Sequence, residues 1–249
     1  MTRARGLVLP MLLILLWQAL AMVNGIESDT LAAPVQIFGA LFAGFGALAL
    51  WQATGDTLAA AGLGLLLGGG LGSLTGLAFG LIPPLSRLLR VPLELLRPVP
   101  AIALVPIAIL VFGFGYALEI AIVAFAAFFP VLILIEAAVR GVEPRLSEVA
   151  RMLGLSAAAR ITKIILPAVL PRAFVALRLA AGLALVVAIT VEIAANPMGL
   201  GARLMLAANS LRPADMFATL IWVGVLGWAV NAALTGLEAR LFPAEQRPR

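Results

Sequence analysis

Hydrophobic residues fall in long runs along this chain, and polar residues collect between them. The first run covers residues 7–26 and follows Arg3 and Arg5. Ala19-Leu20-Ala21 resembles a leader-peptide cleavage site, but the run exceeds the roughly 7–15 apolar residues of a signal-sequence core and reads as a retained first helix. Residues 24–57 carry Glu27, Asp29 and Asp56 without a lysine or arginine. The middle of that segment, 35–51, is apolar enough to lie at the membrane interface or to begin a span. A second run covers 57–82. A third, 101–112, follows Pro98 and Pro100, contains Pro106 and ends at Gly113-Phe114-Gly115. A fourth covers 116–139. The fifth, 173–195, stops at Asn196-Pro197, and a Gly-rich segment to Asp215 leads into the last, 216–237. These runs predict an all-α polytopic membrane protein with about six transmembrane helices.

Composition agrees. The 249 residues are 63% hydrophobic and 12% charged, against about half and a quarter in soluble domains. The net charge is +5, but the arginines stand between apolar runs, which marks topology rather than nucleic-acid binding. With six spans and cytoplasmic termini, every Lys and Arg except Arg203 and Arg212 lies on the cytoplasmic side. Cysteine and histidine are both absent. That removes disulfides, thiol nucleophiles, the commonest metal ligand and the commonest general base. No metal site and no cofactor of its own is expected. An ion-coupled secondary transporter would need coupling groups near the midplane, which is almost bare. A membrane enzyme would need paired carboxylates or a Ser/Lys pair, yet the glutamates are scattered and the one lysine, Lys163, lies between spans.

Within the runs, Gly68, Gly72, Gly76 and Gly80 recur every four residues and line one helix face. No Lys-Ser/Thr follows, so a phosphate loop is excluded. The stripe predicts a face where another helix packs closely. Glu119 and Glu136 stand near span ends and are expected at solvated interface positions. Arg178, two turns into the fifth run, is expected to snorkel inward. Glu192 stands one turn before Asn196-Pro197. It reads as a gate, as a contact for an external partner, or as a hydrogen-bonding group for the Gly-rich segment. Arg178 and Glu192 are the candidate pathway residues.

The segment 140–172 is the one that membrane insertion does not explain. Pro144 suits a first helical turn. Leu146, Val149 and Leu153 form an apolar stripe, with Arg145, Glu148 and Arg151 away from it. Gly154 follows, as a helix end prefers. Ser156 offers an N-cap for a second short helix to about Leu166, and Pro167 and Pro171 mark the turn into the fifth span. An amphipathic loop resting on lipid headgroups would explain the charge. A docking surface for a cytoplasmic partner also explains the Gly hinge and the capped helix.

The spacing Glu148-Val149-Ala150, three residues, Gly154, nine residues, Ile164-x-Leu166-Pro167 resembles the EAA loop of ABC importer permeases, with Val149 in place of the middle Ala. Leu96-Arg97-Pro98-Val99-Pro100, Ala103, Pro106 and Phe112-Gly113-Phe114-Gly115 resemble that family's third-span motif. Leu177-Arg178, Gly182, Glu192 and Gly199-Leu200-Gly201 resemble its later segments. The resemblance covers about 56–241 and is to the nitrate, taurine and aliphatic-sulfonate branch. It implies a single type I importer-like transmembrane domain over 1–249, with 1–55 as first helix and periplasmic or interfacial segment and 140–172 as the coupling loop. It implies two ATPase subunits that hold ATP and Mg and grip Ala150, Ser156 and the loop residues named above. It also implies a second permease subunit, with a homodimer favoured, and an extracytoplasmic binding protein. A small anion is the solute expected, with a pyrimidine or vitamin precursor as the alternative.

Overall fold

The computed structural model describes residues 2–23 and 31–243, and among them no strand occurs. Glu27, Asp29, Arg247 and Arg249 lie outside the described residues, as do the side chains of Arg3, Arg5 and Arg151. Eleven α-helices are described: α1 Thr2–Val23, α2 Pro34–Phe45, α3 Leu48–Leu81, α4 Pro83–Leu96, α5 Val105–Phe112, α6 Tyr116–Arg140, α7 Pro144–Met152, α8 Ala157–Arg160, α9 Leu166–Ala194, α10 Gly199–Asn209 and α11 Pro213–Leu241.

Prolines and glycines set the breaks. Pro34 opens α2, where its missing N–H costs nothing. Gly46 and Ala47 separate α2 from α3, so 35–51 is neither one interfacial segment nor one span. α3 thus begins at Leu48, well before the expected Thr57. It ends at Ile82, which Pro83 holds outside the α region at φ −122°, ψ 82°.

The spans depart from the outline read from the sequence in two details. The third run does not form a straight helix after its prolines. Ala101–Leu104 is a single 3₁₀ turn, α5 is short, and α4 meets the 101–112 segment at a bend of 83°. Pro98 and Pro100 deny the chain the N–H groups that a continuous helix needs. Four helices are long and apolar enough to cross a membrane, or five if the bent pair is one span. The apolar part of α1, Val8–Val23, is shorter. The expectation of about six therefore counted two segments that are bent or short.

The second departure is at the fifth span. Pro167 and Pro171 do not turn the chain. Helix runs unbroken from Ala157 to Ala194, 38 residues. Pro171 is carried inside α9, and Ile161–Ile165 widens into a π turn just before Pro167. There the Leu166 N–H bonds to the Ile161 carbonyl. The extra residue per turn absorbs the backbone disruption that proline brings.

α6 is the centre of the bundle. Ala127, Val131, Ile135 and Ala138 of α6 pack with Ile165 of the π turn and with Val169, Ala176 and Ala180 of α9. Its other face meets α3, and the two run parallel. A Cβ added at Gly68 would strike the Ala124 backbone, and one at Gly72 would lie 2.6 Å from the Phe128 carbonyl oxygen. At Gly76 it would lie 2.5 Å from the Leu132 carbonyl, and at Gly80 it would strike Val139. At α3's start, the rings of Phe45 and Trp51 close on Trp222 of α11 with centroids 5.2 and 5.6 Å away.

Candidate functional site

Two assemblies stand at opposite ends of the bundle: the α7 loop at one, and a groove beside α10 at the other.

At the loop, Ala150 is the buried one among the described side chains of α7, turned inward at 1% exposure. The predicted stripe is not buried. Leu146 and Val149 are exposed, Leu153 is 69% exposed, and Met152, which the sequence reading passed over, is 87% exposed. These side chains form an apolar surface that the chain itself leaves uncovered. Glu148 is exposed beside them. The Leu153 N–H bonds to the Val149 carbonyl and the Leu155 N–H to the Ala150 carbonyl, which closes the helix end. Between them Gly154 takes φ +66° with open space around it. Ser156 then caps α8, its Oγ accepting from the Ala159 N–H at 3.3 Å. Ile164 is half-buried, and Leu166 and Pro167 are exposed on the helix that continues into α9.

The groove has a volume of about 890 Å³. Gln52 and Asp56 of α3, Phe114 before α6, Glu192 of α9 and Arg203 and Asn209 of α10 line it. Among the described residues Arg203 has no ion-pair partner. Asp56 accepts a hydrogen bond from the Tyr116 hydroxyl.

Behind the groove lies a buried polar network. Glu192 is only 2% exposed and Glu119 only 1%. Glu192 Oε1 accepts from the Thr57 hydroxyl at 2.6 Å, and Oε2 accepts from the Gly201 N–H at 2.7 Å. The same Thr57 oxygen accepts from the Leu200 N–H at 2.9 Å. Glu119 accepts from the Asn196 side chain, whose own oxygen takes the Met198 N–H at 3.4 Å. The Gly-rich segment is therefore an ordered helix start, pinned to three helices.

Glu119 is thus not a solvated interface residue, because the Asn196 amide draws it into the bundle. Glu136 also corrects the reading. It accepts from the Arg140 guanidinium at 2.6 Å and from Ser86 at 2.9 Å. Arg178 does not snorkel free. It pairs with Glu238 of α11 at 2.6 Å. Arg178 and Glu192 stand fourteen residues apart on one helix, about 21 Å, and only Glu192 reaches the groove. Thr57, Glu119, Asn196 and Arg203 went unpredicted in these roles. The partners of Thr57, Glu119 and Asn196 lie up to 143 residues away, and the one local signal is a polar group within an apolar run.

Residues 68–246 match the family model described as a binding-protein-dependent transport system inner membrane component. The chain belongs to that family. This permease is 34% identical over 247 residues to a putative aliphatic sulfonates transport permease of Bacillus subtilis (strain 168), covering 96% of the chain and 86% of that protein. It is 31% identical to the corresponding protein of Escherichia coli (strain K12), over 92% of the chain and 88% of that protein. A nitrate import permease of Leptolyngbya laminosa is 28% identical over 146 residues, 59% of the permease and 52% of that relative. These relatives place the permease in the nitrate and sulfonate branch of the family. In fold it is similar to the MetNI methionine ABC transporter in an inward-facing conformation, with TM-score 0.63 at 17% identity over 77% of the permease and 94% of that chain. An amino acid ABC transporter with histidines gives TM-score 0.61, also at 17% identity, over 83% and 94%. The permease is a multi-pass inner-membrane transport subunit of the ABC importer type, and the ion-coupled alternative is set aside.

Proposed function

We propose that this permease forms half of the pathway of an ATP-driven importer for a small sulfonate or nitrate-like anion. The observation that carries the reading is α7: a short helix with Leu146, Val149, Met152 and Leu153 uncovered, ended by a left-handed glycine. An apolar helix face of that size fits a cleft on a partner. Two ATPase subunits, each holding ATP and Mg, grip one such loop apiece. The second permease is another copy of this chain. A binding protein delivers the solute at the α10 end, where the groove opens. The relatives named for sulfonates and nitrate support the class of solute.

With the cognate ATPase and binding protein in liposomes, the permease is expected to co-purify with the ATPase. It should import ethanesulfonate or nitrate only when ATP is present. Uptake that ignores ATP and follows an ion gradient would overturn the reading.

The arginines flanking the spans support cytoplasmic termini. A periplasm-dependent phosphatase fused after Arg249 is accordingly expected to stay silent, and activity there would reverse the orientation.

A further inference from the structure

Two features outside the docking loop share one helix. The continuous helix Ala157–Ala194 begins three residues after Gly154 and ends two residues after Glu192. At about 1.5 Å per residue, its 38 residues span about 57 Å. It is one rod between the loop and the groove. The π turn at Ile161–Ile165 is its one irregular turn, and that turn is packed in the main core.

At the far end Val191 packs against Leu118 and Ile122 and Leu185 against Leu200, and Glu192 supplies the polar fastening. Glu192 takes one hydrogen bond from α3 through Thr57 and one from α10 through Gly201. Thr57 closes the triangle by accepting from Leu200. Gly199 stands at φ +90°, and a Cβ there would strike the Glu192 carboxylate, so the backbone is folded directly onto that group. Gly201 is just as tight, with a Cβ falling 2.7 Å from Glu192 Cβ. α10 supplies Arg203 and Asn209 to the groove wall.

We propose that Glu192, with Thr57, is the positioning joint that carries movement of the docking loop to the groove. The inference rests on the importer reading above. A displacement of α7 moves the rod as a body, and the two hydrogen bonds at Glu192 oblige α10 to follow. The wall bearing Arg203 then shifts against the Phe114 side. The carboxylate is needed because it offers two acceptors, one for each neighbour. Glu192 is almost wholly buried, so solvent competes little for either bond.

Thr57→Val keeps the shape and removes the hydroxyl's hydrogen bonds to Glu192 and Leu200, along with the one to its own helix at the Ala53 carbonyl. Glu192→Gln keeps the size and removes one acceptor. In the reconstituted importer both variants are expected to co-purify with the ATPase like the parent. The ATP hydrolysed per ethanesulfonate imported should rise at least tenfold. Thr57→Ser, which restores the hydroxyl, should return the parental ratio. The double variant should add little to either single one, since both break the same joint. A ratio that stays parental, with uptake either intact or reduced in step with hydrolysis, would overturn the joint, because a merely structural defect lowers both together.

A second measurement does not depend on those variants folding. The chain has no native cysteine. Spin labels at Leu110→Cys on α5 and Ser210→Cys beside α10 report the distance between the walls. In the otherwise parental complex that distance is expected to change when ATP is added, and an unchanged distance sinks the proposal. A parental permease that fails to bind the ATPase at all is a different result, because it overturns the importer reading itself.

Discussion

Gly72→Leu is expected to abolish assembly of the permease in the membrane. The Cβ alone would lie 2.6 Å from the Phe128 carbonyl oxygen and 3.2 Å from the Leu132 nitrogen. Those atoms are backbone, and no rotamer change moves them away. Overpacking a core typically costs about 1–3 kcal/mol when side chains can give. Here α3 and α6 must part along their length, so the loss should reach or exceed that range. Gly70 supplies the control. It is exposed, and a Cβ there meets nothing within 4 Å. Gly70→Leu should therefore insert and accumulate like the parent. Chromatography of the solubilised permease compares the two. Equal monodisperse yield from both variants would show that the stripe does not hold the helices together.

Gly154→Val is expected to leave the bundle intact and release the ATPase. The space around Gly154 is open, so volume is not the obstacle. The obstacle is the backbone, since φ is +66° and a β-branched residue there costs about 1–2 kcal/mol. That is a five- to thirtyfold bias against the docking conformation. The loop can relieve it by abandoning the turn that joins α7 to α8, which scatters the exposed Leu146, Val149 and Met152. Asn enters the left-handed region far more readily. Gly154→Asn should therefore keep most ATPase binding while Gly154→Val loses it. Co-purification of the ATPase with each variant is the measurement. If the two variants behave alike, the left-handed turn is not what presents α7.

These two glycines also show what the chain reveals without its structure. Both are legible because local rules govern them: a four-residue period marks a helix face, and a glycine after an apolar stripe marks a helix end. The loop was legible for the same reason, down to the Ser156 cap. The span boundaries were less so. Pro167 and Pro171 read as a turn, since proline usually ends a helix. The fold instead inserts a π turn, and its stability comes from Ile165 and Val169 packing in the core. Glu119 misled because its partner, Asn196, is 77 residues away. A carboxylate near a span end looks solvated until that partner is placed beside it.

The glycine stripe has a consequence for register. Gly64, Gly68, Gly72, Gly76 and Gly80 follow a constant period, and Val123, Val131, Ile135 and Val139 meet them at a matching one. Sliding α6 along α3 by one period, about 6 Å, would seat most small and branched residues in equivalent notches. Packing alone therefore distinguishes poorly between neighbouring alignments. The polar contacts do distinguish them. Tyr116 reaches Asp56 near one end of the pair, and Glu136 gathers Ser86 and Arg140 near the other. A one-step slip would carry Arg140 along with Glu136 but would part Tyr116 from Asp56 and Glu136 from Ser86, at about 1–3 kcal/mol per buried group left unpaired. The few polar residues in this apolar bundle thus act as alignment keys, much as a lone polar residue fixes the register of a coiled coil.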